Sequence, residues 1–420
     1  MASAQTQNNR LTKAANLVSI PTLVESPFIY VTIGKYTFGL PTKIGNALGW
    51  HTIDFPNFMN SLTVVKVNGE VNTYQLRMIY QIKQGDDPNL IDNILSSISG
   101  TRTMTISYGD WCSPGNIYKE EEVLVTNVKS NIDFASSRIS YDIAAVSKTL
   151  NLMSQCFNFR GQHAKPSSVL LAMINNPVYG IQQNFTGMQN KQKALMKQLI
   201  ATDDREVFLE TKNNMSVYDY MNYLVSCMVP SGTDGVTGNG YYALSVIDDN
   251  KNELGGSYFK VTKIGDSEMS YDGKDAYELD IGYPGNNFIT NFTINDNETW
   301  SILFDSSETS QKNDFTYTYN QDGELIKSDS PSITRSKDLL QTTAADKAWW
   351  TKMTEFPISA TIDFKGLVRP TLLVSYVKIN CVFYGRRHIA SGTYIITKQT
   401  DTINAQGYKT TLNLQRIKGE

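Results

Sequence analysis

Three runs of alternating apolar and polar residues follow one another near the C-terminus: LLVSYVKINCVFYG (Leu372 to Gly385), ASGTYIITKQT (Ala390 to Thr400) and YKTTLNLQRI (Tyr408 to Ile417). In the first, Leu373, Val377, Ile379, Cys381 and Phe383 fall on one face, and Tyr376, Lys378, Asn380 and Tyr384 on the other. Side chains of a strand point alternately to the two sides of a sheet, so this is the pattern of a strand with one dry and one wet face. The connections are short, which predicts an antiparallel β-meander. A first strand from Leu372 to Tyr384 would run roughly 40 Å, about twice the usual length, a length suited to a wall or a tube.

The chain has 420 residues and 47.0 kDa, more than one hydrophobic core usually supports, and two to four domains are expected. Its 23 Tyr and 17 Phe favour strands over helices. No apolar run approaches the roughly 20 residues that span a bilayer. The opening MASAQTQNNRLTKAANLVSI lacks the apolar core of a signal peptide, so synthesis in a cytosol and no membrane insertion are expected. Charge is divided by region. Residues 236–335 hold 7 Lys and Arg against 17 Asp and Glu, whereas residues 345–420 hold 11 against 5. Such oppositely charged segments either steer docking between subunits or are two differently charged solvated surfaces.

Residues 1–15 are polar and unpatterned, an expected flexible arm. Residues 16–150 read as a first sheet with one helix. PFIYVTI (Pro27 to Ile33) and LTVVKVNGEVNTYQLRMIYQI (Leu62 to Ile82) are strand patterns, the latter turning at Asn68-Gly69. A helix follows, capped by Asp87, with Leu90, Ile91, Ile94, Leu95 and Ile98 as its apolar stripe and Gly100 at its end. Glu120 to Ser130 and Ser137 to Ser147 form a second hairpin. Residues 151–235 change to helical period, with helices predicted at Pro166 to Ile174, within Met188 to Ile200, and at Ser216 to Met228, the last opened by the capping-box spacing of Ser216 and Asp219. Residues 236–287 read as a small acidic β domain and 288–420 as a second β domain with an excursion at 306–344. The expected class is α+β, β-rich and multidomain.

Reactive constellations are not signalled. His51, His163 and His388 have no Cys, Asp or Glu at metal-ligand or triad spacing, and Cys112, Cys156, Cys227 and Cys381 lie far apart. His388, in GRRHIASG, reads as a turn residue. The run Asp248 to Gly256 has Glu253 where a calcium loop needs glycine, and reads as a hairpin turn. No catalytic, cofactor-binding or metal-binding residue is nominated. Two further readings remain beside a structural one. Many aromatic residues fit a carbohydrate-binding adhesin, and the carboxylates from Asp266 to Asp280 fit a glycoside hydrolase if two of them flank a cleft.

The segment from Ser359 to Ile417 resembles the C-terminal end of baseplate hub proteins of tailed bacteriophages, through G-L-x-R-P, F-Y-G-x-x-H-I-x-S-G-x-Y-I-I-T and G-Y-K-T-x-L-x-L. FITNFTINDNETWSILFD (Phe288 to Asp305), the helix SVYDYMNYLVSCM and the hairpin around EEEVLVTNVKS are similar to the same family. The resemblance implies two tail-tube-like β modules, each with a packed helix, separated by a small helical domain and a small β domain. It implies a non-enzymatic homotrimer in the virion baseplate, assembled in the host cytoplasm. Such a hub joins the sixfold tail tube to the threefold central spike and lines the channel through which genomic DNA passes without sequence readout. Its partners would be the tail tube protein, the central spike protein, the tape measure protein and other baseplate proteins. On this reading Tyr376, Lys378, Asn380, Tyr384, Arg386 and Arg387 are candidates for the lumen or for a subunit interface.

Overall fold

The structure, a computed structural model, describes residues 27–39, 58–110, 118–181, 199–228, 241–249, 256–264, 277–281, 289–296, 316–319, 325–328, 358–365, 376–388 and 390–419. Its first module contains β1 (Pro27–Ile33), β2 (Tyr36–Gly39), β3 (Met59–Val67), β4 (Thr73–Gln81), α1 (Pro88–Ser99), β5 (Thr103–Asp110), β6 (Tyr118–Asp133) and β7 (Arg138–Ser147). The strands lie in the antiparallel order β3-β4-β7-β6-β5-β1-β2. Alternation decides the faces. Leu62 and Val64 of β3, Tyr74, Leu76 and Met78 of β4, and Ile139, Tyr141 and Ile143 of β7 all point into one core. α1 lays Ile94 and Ile98 on that core. Its N-terminus is capped as its sequence predicts, the Asp87 carboxylate accepting from Asn89 N at 3.0 Å, and the Gly100 N–H donates to Ser96 O at 2.9 Å. The chain turns at Asn68-Gly69 as expected, the Glu70 N–H donating to Val67 O at 3.2 Å with Gly69 at φ 77, although pairing with β4 starts only at Thr73, so the whole connection covers residues 68–72. Strand β6 is longer than expected and turns only at 134–137.

The middle of the chain contains α2 (Leu150–Ser154), β8 (Cys156–Phe159), β9 (Gln162–Ala164), α3 (Pro166–Asn175), β10 (Val207–Leu209), β11 (Lys212–Ser216), α4 (Val217–Cys227), β12 (Tyr241–Asp249) and β13 (Gly256–Ile264). The expected helix within 188–200 lies almost wholly outside the described residues. Ser216 caps α4, accepting from Asp219 N at 3.0 Å and donating to Asp219 Oδ2 at 2.6 Å. Helices and acidic hairpin share one core here: Tyr220, Met221 and Leu224 of α4 pack with Tyr242, Leu244, Phe259 and Val261 of β12 and β13. Phe159 and Tyr220 stack with ring centroids 3.6 Å apart. Buried Asp204 ties the connection before β10 to the start of α3, accepting from Ser167 N at 2.9 Å and from the Ser167 hydroxyl.

The terminal region contains β14 (Tyr277–Ile281), β15 (Ile289–Asp296), β16 (Thr316–Tyr319), β17 (Leu325–Ser328), β18 (Ile358–Phe364), β19 (Tyr376–Phe383), β20 (Arg386–Arg387), β21 (Gly392–Asn404) and β22 (Gly407–Gly419). Its core joins Ile358, Ile362 and Phe364 with Val377, Ile379, Tyr394, Ile396 and Leu412. The meander is present, but its lengths differ from expectation. Strand β19 has eight described residues, and it reverses at Tyr384-Gly385, where φ is 50 and 75, the two positive values that a two-residue type I′ hairpin demands. The long strands are β21 and β22, with 13 residues each. A second difference concerns β14. It lies in the segment read as the acidic β domain, yet it pairs in parallel with β19 and so belongs to the terminal sheet.

Candidate functional site

Strand β21 joins the two β modules. Its first residues pair with β19, Ile395 opposite Tyr376 and Gly392 opposite Ile379. After register shifts between Thr393 and Tyr394 and between Ile396 and Lys398, Lys398 to Asn404 pair instead with β3, from Val67 to Ser61. Bulges re-aim a strand and raise its twist, which lets one strand serve two sheets. The result is a single 14-stranded sheet. The tip of the β21–β22 hairpin enters the first core through Ile403 and Tyr408, and Tyr108 meets Tyr408 edge-on with ring centroids 6.4 Å apart.

On the inward side of this seam the pattern turns polar. Next to the apolar pair Leu62 and Ile403 come Val64 opposite Asp401, then Lys66 opposite Gln399. Lys66, Gln399, Asp401 and Thr410 are all fully buried. The Asp401 carboxylate accepts from Gln399 Nε2 at 2.8 Å and from Thr410 Oγ1 at 2.7 Å. Burial pushes its pKa up to about 6, although the hydrogen bond from Thr410 and the Lys66 charge pull the other way. Burial and the neighbouring Asp401 push the Tyr408 phenol well up.

The outward side of the same sheet forms long polar rows. One runs Lys129, Asp142, Arg77, Ser61, Asn404 across β6, β7, β4, β3 and β21. Another runs Thr400, Thr411, Asp363, Asn291 across β21, β22, β18 and β15. A groove of about 370 Å³ on the first-module half is lined by Ser61, Thr63, Gln75, Arg77, Lys129 and Asp142 among others. Opposite charges meet along the face, Arg77 Nε at 3.7 Å from Asp142 and Lys409 Nζ at 3.0 Å from Asp363. Partial burial raises the Asp363 carboxyl, but hydrogen bonds from Thr411 and Lys409 outweigh it and hold the pKa below the usual range.

The sheet is open at both ends of these rows. Strand β5 accompanies β6 only as far as Val125, and β15 pairs with β18 alone. Among the described residues no strand covers the outer side of β15 or the edge of β6 from Thr126 to Asp133.

The residues nominated from the sequence lie elsewhere. Lys378 and Asn380 are half-buried on the outer face of β19, opposite Thr393 and, in β14, in register with Glu278 and Asp280. Tyr384 does not continue that face, since it sits in the turn, fully exposed. Arg386 and Arg387 are exposed in β20. Tyr376 begins β19, and its side chain lies outside the described residues. His388 closes the turn into β21, its Nδ1 accepting from Ala390 N at 3.1 Å. Alternation within single segments does not single out the wide polar face on β6, β7, β4, β3, β21, β22, β18 and β15. Its signal is the Ser, Thr and Asn alternation of SATIDF, TTLNLQ and FTIND, visible once these segments are read as neighbours. Among the described residues no three His, Cys, Asp or Glu side chains gather as a metal site, and no helix is long and apolar enough to cross a membrane.

No family model and no curated protein matches the sequence. Among solved structures the chain is similar to a tail protein from Neisseria meningitidis, at 10% identity and a TM-score of 0.47, over 93% of this chain and 96% of that one. It is also similar to a tail protein of prophage MuSo2 from Shewanella oneidensis, at 9% identity and a TM-score of 0.48, with coverages of 93% and 96%. A chain of the Francisella PdpA–VgrG complex is similar over 99% of this chain and 61% of that one, at 10% identity and a TM-score of 0.47. These structural neighbours are tail proteins and a VgrG complex.

Proposed function

We propose that the chain is a structural protein of a phage tail, a baseplate hub that closes into a homotrimer and lines the DNA channel between the sixfold tube and the threefold spike. The observation that carries this reading is one continuous sheet, shared by two modules, polar on its outward face and, among the described residues, uncovered along β15 and along β6 from Thr126 to Asp133. Open edges offer unpaired N–H and C=O groups to another strand. The two edges here are alike on their outward faces. Along β6, Asn127, Lys129 and Asn131 point outward while Val128, Ser130 and Ile132 point to the core side, and along β15, Asn291, Thr293 and Asn295 point outward while half-buried Phe292 and Ile294 point inward. Pairing β15 of one copy with β6 of the next keeps polar with polar on the outward face and sets Phe292 and Ile294 against the Val128, Ser130 and Ile132 side. The contact is head-to-tail, so its repetition makes a ring wherever the rotation closes. Three copies supply six β modules.

The polar face suits the wall of a channel. Arg77 and Lys409 each have a carboxylate beside them, which reduces the cationic grip on phosphate and leaves a wall of hydroxyls and amides that contacts DNA without reading bases. The tail tube, central spike, tape measure and other baseplate proteins are the proposed partners, and the virion tail, assembled in the host cytoplasm, is the proposed location. Sedimentation equilibrium of the purified chain tests the ring. A mass near 141 kDa, three times 47.0 kDa, is expected. Thr293→Lys with Asn295→Lys, which places lysines on an exposed edge, should yield monomers. A wild-type chain that stays at 47.0 kDa at all concentrations, or a double-lysine variant that trimerises normally, overturns the proposal.

A further inference from the structure

Four of the exposed large apolar side chains of the described residues belong to one end of the first module: Ile82, Leu90, Ile132 and Phe134. They continue two buried patterns beyond the point where the core stops covering them. Along the stripe of α1, exposure rises from 0% at Ile98 and 3% at Ile94 to 42% at Leu90. On the core side of the sheet, Ile139 is buried while its cross-strand partner Ile132 is 52% exposed. Ile82 follows Tyr80 on that same face, and Phe134, at the turn, is 87% exposed.

This turn is built to hold Phe134 out. The Asp133 carboxylate accepts from Ala135 N at 3.0 Å, Ser136 N at 3.3 Å and Ser136 Oγ at 2.5 Å. Gln81 Nε2 donates to Ser136 O at 2.6 Å, and Ile82 N to Ser137 O at 2.9 Å. The neighbourhood is acidic. Asp86, Asp87 and Asp92 stand against Lys83, and Asp133 faces Arg138. Asp86 is fixed as an acceptor, taking hydrogen bonds from the Tyr80 hydroxyl at 2.5 Å and Lys83 N at 2.7 Å, and these hold its pKa below the usual carboxylate range.

We infer that this shelf is a docking face for a different subunit stacked along the strand direction, one that presents an apolar side chain beside lysine or arginine. The inference rests on the proposed ring. There, lateral edges are taken by second copies, and what lies at the strand ends faces along the axis. Apolar anchors such as Phe134, surrounded by a polar rim, dominate binding where they are desolvated, and the acidic rim selects a cationic partner.

The experiment uses assembled tails carrying a photoreactive benzoylphenylalanine at position 134, together with the variant Phe134→Ser with Leu90→Ser, which leaves the β6 edge of the proposed ring intact. The probe is expected to cross-link to another tail chain at a peptide containing Lys or Arg. The double variant should keep the trimer mass and thermal melt, because its sites are already exposed, yet reduce assembled particles by about tenfold or more, with Phe134→Leu restoring them. Cross-linking only to a second copy, no cross-link, or wild-type particle yield from the double variant overturns the shelf alone. A monomeric wild type overturns the ring, and the shelf with it.

Discussion

Neutralising Asp401 is expected to stabilise the protein at neutral pH, although this removes the partner of a buried lysine. The carboxyl is fully buried at the seam, and its pKa stands at about 6 against an ordinary 3.8. At about 1.36 kcal/mol per unit this difference corresponds to about 3 kcal/mol. The sign follows from proton binding. Below about pH 3.8 the group is protonated in both states and contributes nothing to the difference. Between about pH 3.8 and 6 the unfolded chain ionises while the folded chain keeps its proton, so stability falls as pH rises, and above about 6 the cost is constant. Asp401→Asn imitates the protonated group. Its Oδ1 still accepts from Thr410, and a flipped Gln399 amide can accept from its Nδ2. Urea unfolding followed by circular dichroism should therefore show the variant equal to wild type near pH 4 and more stable by about 1–3 kcal/mol at pH 7.5. Lys66→Met should move the wild-type pH slope upward, since the lysine charge is one of the influences that lower the Asp401 pKa. A variant less stable than wild type by more than about 1 kcal/mol at pH 7.5, with no difference at pH 4, would show an ionised Asp401 productively paired with Lys66, as when a buried ion pair is broken, and would refute the reasoning.

Ser216→Ala removes the cap of α4 and should cost about 1 kcal/mol in a thermal melt, with Ser216→Thr close to wild type. Tyr220→Ala removes a ring stacked on Phe159 in the middle core and should cost about 3–5 kcal/mol, detectable as early loss of hydrogen-exchange protection in α3 and α4. Arg386→Glu with Arg387→Glu should weaken assembly in sedimentation while leaving the melt of the chain nearly unchanged, because both side chains are exposed and exposed charges add little to folding; unchanged assembly would remove both residues from any interface.

The elements most legible in the sequence are those whose causes are local. The Asp87 cap, the Ile94–Ile98 stripe and Gly100 define α1 within one short stretch, and Ser216 with Asp219 does the same for α4. The hairpins β6–β7 and β21–β22 are also visible, since alternation and short connections need no distant partner. Strand pairing across long sequence separation is not visible in this way. YELDI reads as a strand, but nothing in it names β19, about a hundred residues later, as its parallel neighbour. Nothing local in the sequence marks Lys66, Gln399 and Asp401 as buried polar residues, and their burial comes from what is packed over the seam. Alternation puts Tyr384 on a strand face, because a period of two does not register a φ of 50.

By itself the sequence determined a β-rich chain, which side chains share a strand face, where two helices start, and that its C-terminal stretch returns on itself antiparallel. It also supplied the resemblance on which the hub reading first rested. Only the tertiary structure decided that β21 belongs to two modules, that the acidic hairpin shares a core with α4, and that the broad polar face spans eight strands. The reason is physical. A period of two fixes which residues stand together on one side of a strand, whereas the partner of that strand and the cover over each face are set by contacts between segments hundreds of residues apart, which no local pattern encodes.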